Sequence, residues 1–119
     1  MSLLVNIYIR GPDGGMEIID PDMHSQELAG FESYRQRLYG SRAALALGLR
    51  LLPTLDGGNI YAEGPYVEQL RAEAELALAH VETFIAEAQA PAESLRPRFE
   101  NIIAAARRAA EVGGGVVIW

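Results

Sequence analysis

From Pro65 to Ala90 the apolar positions recur at three- and four-residue spacing: Val67, Leu70, Ala74, Ala77 with Leu78, Val81, Phe84 with Ile85, and Ala88. That spacing gathers them on one side of a helix and turns Glu68, Glu73, Glu75, Glu82 and Glu87 mostly toward water. Pro65 suits a first helical position and Pro91 supplies the stop, so one long helix is predicted over 65–90. At ~1.5 Å per residue it runs roughly 36 to 39 Å, about the width of a domain of this size.

The period changes at both ends of the chain. Leu3, Val5, Ile7 and Ile9 fall on one face of an extended segment and Leu4, Asn6 and Tyr8 on the other, which predicts a strand with one apolar face. Gly11-Pro12-Asp13-Gly14-Gly15 and then Met16 to Ile19 complete a hairpin. Val116-Val117-Ile118-Trp119 is apolar without alternation, the mark of a strand covered on both faces, and its natural neighbour is Leu3 to Ile9.

Between these strands the signals are shorter. Asp20 or Asp22 can cap a helix carrying Glu27, Leu28, Phe31, Tyr34 and Leu38, weakened by ~1 kcal/mol at Gly30. Gly40 ends it, and Ser41 caps a short helix toward Gly48, although Leu45, Leu47, Leu49 and Leu51 also alternate as a strand would. Asn59 to Glu63 predicts a short strand. Ser94 is the expected cap of a helix with Leu95, Phe99, Ile102, Ile103, Ala106, Ala110 and Val112 on its apolar side, closed by Gly113 to Gly115. The assembly these elements predict is a single α+β domain over residues 1–119. It has two layers: a small β-sheet, built from the N-terminal hairpin and the C-terminal strand, covered on one face by three to four helices.

A chain of 119 residues can bury roughly 65% of its unfolded surface, enough for a core without staples. It contains no cysteine, which removes disulfides, zinc ribbons and thiol nucleophiles and fits a reducing cytoplasm. All ten basic residues are arginine; without lysine there is no Schiff-base chemistry, pyridoxal attachment or P-loop lysine, and no cofactor is expected. An Ala- and Arg-rich, Lys-free composition points to a GC-rich, bacterial gene. The net charge of −6 argues against nucleic-acid binding and favours solubility or a basic protein partner. No signal-peptide pattern and no run of eighteen apolar residues is present, so a soluble cytoplasmic protein is expected.

Two clusters carry candidate chemistry. Asp20, Asp22, His24 and Glu27 hold carboxylates and an imidazole at a spacing able to bind a divalent ion, although Asp-Pro-Asp is equally what a helix start looks like. Arg35 and Arg42, with the N–H groups of a helix starting at Ser41, can cradle a phosphate or carboxylate; the alternative is pairing with the glutamates of the long helix. His80 reads as a partly buried structural histidine. Gly113 to Gly115 runs helix to strand, the reverse of a phosphate loop. With no catalytic motif, the expected function is a non-enzymatic protein-binding, regulatory domain of the inhibitor or immunity kind. The competing expectation is a small-molecule or divalent-metal-binding enzyme or sensor using the Asp20/Asp22/His24/Glu27 cluster. A homodimer through an open sheet edge fits either.

Overall fold

In the computed structural model, residues 2–19 and 28–119 are described. Strands β1 (Ser2–Arg10), β2 (Met16–Ile18) and β3 (Leu28–Phe31) are followed by a π-helical turn over Arg35–Tyr39 and by α1 (Arg42–Ala46). A 3₁₀ turn at Leu52–Leu55 leads to β4 (Ile60–Ala62) and α2 (Pro65–Ala79). A second 3₁₀ turn, Val81–Phe84, joins α2 to α3 (Ile85–Ala88), and α4 (Ala92–Val112) precedes β5 (Gly115–Ile118). The result is a two-layer α+β fold.

The sheet is antiparallel throughout, in the order β2-β1-β5-β4, with β3 pairing the other half of the same β1 edge that β2 uses. Val5 faces Ile118 and Ile7 faces Val116; across β5, Ile60 faces Ile118 and Ala62 faces Val116. These residues, with Leu3, share one face of the pleat and bury against Val67, Leu70, Ala74 and Ala77 of α2 and Leu95, Phe99, Ile102 and Ala106 of α4. The predicted pairing of the terminal strand with Leu3 to Ile9 is observed. Yet β5 is an inner strand, so it is β4 and not the terminal strand that presents an open edge.

Three glycines carry the chain from α4 into β5, each for its own reason. Gly113 takes φ +68 beyond the last helical residue, and the Gly114 and Gly113 N–H groups donate to Ala109 O and Ala110 O in a Schellman closure. A Cβ on Gly114 would lie 2.3 Å from Tyr8 O, and one on Gly115 would lie 2.6 Å from Ala62 O and 2.7 Å from Tyr8 Cζ. Only hydrogen fits where β5 threads between β1 and β4.

The structure departs from the periodic reading at four places. The long helix stops at Ala79: His80 leaves helical geometry at φ −117, ψ 32, and Val81–Phe84 form a tighter turn before α3. Leu28–Phe31 are a strand on β1 where a helix is predicted. The last helix starts at Ala92 after Pro91; Ser94 is inside it, its hydroxyl donating to Pro91 O instead of capping. Glu73, assigned to the wet face of the long helix, is buried. Ser41 does cap as expected, its Oγ accepting from Ala44 N at 3.2 Å.

Candidate functional site

The face of the sheet away from the helices is the part of the fold least explained by folding alone. Its side chains form three rows across β1, β5 and β4: Tyr8, Gly115 and Glu63; Asn6, Val117 and Tyr61; Leu4, Trp119 and Asn59. Tyr8 and Val117 are fully buried although neither belongs to the helix-covered core. The Trp119 indole reaches back over the sheet, its Nε1–H donating to Asn6 Oδ1 at 2.8 Å. Three large apolar groups stay in solvent on this face, Leu4 at 37%, Tyr61 at 52% and Trp119 at 36% exposure.

One end of the face is closed by a polar cluster. Because Gly115 has no side chain, the Tyr8 ring passes over it and its hydroxyl donates to Glu63 Oε1 at 2.7 Å. Arg10 Nε and Nη2 donate to the same oxygen at 2.9 and 2.5 Å, and its guanidinium also lies 5.4 Å from the centre of the Tyr8 ring. The Arg10 hydrogen bond, then that of Tyr8, holds the Glu63 carboxyl below the ordinary glutamate range. Burial, then the hydrogen bond to Glu63, pushes the Tyr8 phenol above its usual range, so it is a neutral donor and not a nucleophile. A hollow of about 400 Å³ opens beside this cluster, and one of about 650 Å³ lies between α2 and α4 beyond Gly64 and Gly113. The four charged groups on the rim of the larger one are already in ion pairs: Arg71 with Glu68, Arg107 with Glu75 and Glu111 with Arg108.

The predicted site residues are placed as follows. Asp20, Asp22, His24 and Glu27 lie outside the described residues, and among the described ones no group of three or more His, Asp or Glu side chains gathers as metal ligands would. Arg35 is spent on the main chain in front of β4: it bonds Glu32 Oε1, Leu55 O at 3.2 Å, Gly58 O and Asn59 Oδ1 at 2.9 Å. The helix start at Ser41 does attract an anion, and it is the chain's own Glu87, whose two oxygens accept from Arg42 N at 3.2 Å and Ala43 N at 3.3 Å. Glu73 does the same elsewhere, accepting from Arg50 N, Leu51 N, Leu52 N and Gln69 Nε2 at 2.9–3.2 Å. His80 is exposed at the end of α2, where partial burial was predicted.

Sequence reasoning did not assemble Tyr8, Arg10 and Glu63. The available signal was Tyr8 on the mixed face of β1 together with a glycine that the terminal strand did not need for its turn. Among the described residues, no helix is long and apolar enough to cross a membrane. Comparison of the chain with protein-family models, with curated proteins and with solved structures finds no match.

Proposed function

We propose that the chain works by binding another protein, as a non-enzymatic regulatory domain of the inhibitor or immunity type. The observation that supports this is the face of the sheet that no described helix covers, where Leu4, Tyr61 and Trp119 remain in solvent over a floor of buried Asn6 and Val117. Aromatic groups held by a rigid sheet are good anchors, since few rotatable bonds are frozen when a partner covers them. The net charge of −6 makes a basic protein the electrostatic match and speeds its approach. A reducing, cytoplasmic setting suits a chain with no cysteine.

The test is affinity capture from the native host with the wild-type chain and with Leu4→Asp, which places a carboxylate among the exposed apolar groups of the face without touching the helix-covered core. The expected result is a basic protein retained in stoichiometric amount by the wild type and lost by the variant. Equal retention by both chains, or no retained protein under conditions where the partner is expressed, would refute this reading.

A further inference from the structure

The alternation of bonds in an antiparallel sheet fixes which way the main chain of β4 points. Leu4 and Trp119 exchange both hydrogen bonds, Leu4 N to Trp119 O at 2.9 Å and Trp119 N to Leu4 O at 3.0 Å. Trp119, Val117 and Gly115 therefore turn their N–H and C=O groups toward β1, and Ile118 and Val116 turn theirs toward Ile60 and Ala62 of β4. Tyr61, between those two, aims its N–H and C=O away from the sheet, and Asn59 and Glu63 continue the same outward set. No described strand pairs with this side of β4, which ends the sheet; of the outward groups, Glu63 O is taken within the chain, accepting from Tyr66 N at 3.1 Å.

Natural sheets close such an edge with lysine, proline, a bulge or a covering segment. This chain has no lysine, β4 contains no proline, and its register with β5 is unbroken. Shortness is its one protection, and Arg35 offsets that by holding Gly58 O and Asn59 Oδ1, so the approach to the strand is fixed in place.

We propose that the chain pairs with a second copy of itself through β4, the two strands running antiparallel about a two-fold axis at Tyr61. In that register Asn59 of each copy faces Glu63 of the other, Ile60 faces Ala62, and Tyr61 faces Tyr61. It is the one register that sets all three outward-facing residues of both strands opposite one another, Glu63 contributing its N–H because its C=O is held by Tyr66 N, whereas sliding by two positions sets one of them opposite Pro65 or Gly57. The side chains complement: Asn59 Oδ1 is occupied by Arg35, leaving the amide NH₂ as donor toward Glu63 Oε2, the oxygen that Tyr8 and Arg10 do not use, and no like charges oppose. The Ile60 and Ala62 pairs extend the helix-covered face, and the Tyr61 pair joins the two exposed aromatic faces into one surface.

Light scattering on the purified chain tests this. The expected mass is about twice the 12.9 kDa of one chain. Tyr61→Pro removes the outward N–H without removing a bond to β5, and should return the mass to that of one chain. Should that variant fail to fold, Asn59→Asp decides: it keeps an acceptor for Arg35 but opposes two pairs of carboxylates, and should raise the dissociation constant roughly tenfold. The proposal does not rest on the partner-binding reading. Leu4 is two strands in from the edge, so Leu4→Asp should leave the mass unchanged. A wild-type chain that stays single at hundreds of micromolar, or a dimer that neither edge variant weakens, overturns it.

Discussion

Glu73 shows how a charge is used inside this molecule. Its carboxylate is nine-tenths buried and meets no cation among the described residues; instead three successive main-chain N–H groups, Arg50 to Leu52, and the Gln69 amide converge on it. Those N–H groups open the 3₁₀ turn at Leu52–Leu55 and have no helical partner of their own, so an internal anion satisfies them. Glu73→Gln leaves one acceptor and sets an NH₂ group against the donors. Denaturant melts should show a loss of about 1–3 kcal/mol, whereas Glu75→Gln, in a partly exposed ion pair with Arg71, should change stability by less than about 1 kcal/mol. Equal losses would mean that burial of Glu73 is not what matters. Glu63 gives a pH dependence instead. Its carboxyl is lowered in the fold, so its contribution is complete above the ordinary glutamate value and is lost as pH falls through the lowered one. Tyr8 runs opposite: its raised phenol supports the fold below the ordinary tyrosine value, about 10, and that support fades as pH rises past it. Melting temperature measured from pH 7 downward should therefore fall less steeply in Glu63→Gln than in wild type below about pH 5. Parallel curves would remove the cluster from the acid response.

At the scale of elements, the misread stretches are those where neighbours in space outweigh local pattern. The break after Ala79 was invisible to periodicity because Ala77, Val81, Phe84 and Ala88 keep their three- and four-residue spacing through it, and all four are buried. A tighter turn delivers the same residues to the core while redirecting the chain. Leu28 and Phe31 stand at helical spacing, yet Gly30 sits at φ +121 with the Tyr34 ring where a Cβ would be, and the unused half of the β1 edge takes the segment as a strand. By contrast the hairpin, the strand at 60–62, the Ser41 cap and the Gly113 closure were legible, because each is set by residues within a few positions. The Glu73 and Glu87 caps were not, since their partners lie 21 to 45 residues away. Among the described residues one position still carries strain. Gln89 ends α3 at φ 55, ψ 43, where a side chain costs about 1–2 kcal/mol and glycine costs nothing. Gln89→Gly loses the Arg37 bond to its exposed side chain and some unfolded-state entropy, and should still gain roughly 0.5–1 kcal/mol in denaturant melts. A loss would mean that the Arg37 contact matters more than the backbone.

The molecule as a whole is closed by its last strand. β5 lies between β1 and β4, so the pairing that joins the N-terminal half of the sheet to the rest forms only once residues 115–118 are present. Val116, Val117 and Ile118 are each fully buried, which at roughly 1.5–3 kcal/mol per side chain amounts to about 5–9 kcal/mol. A domain of this size holds a net stability of only about 5–15 kcal/mol. Removing residues 116–119 takes away that burial and the Trp119 bond to Asn6, leaves β4 without a partner strand, and uncovers Val5 and Ile7 along β1. The truncated chain should show no cooperative thermal transition by far-ultraviolet circular dichroism and should lose its near-ultraviolet tyrosine signal, even though α2 and α4 keep their full sequences. Helices of 15 and 21 residues have little stability in water by themselves, so their order depends on the sheet they cover. A sharp transition within a few degrees of wild type would show that the helical layer stands alone and that β5 is an accessory to it.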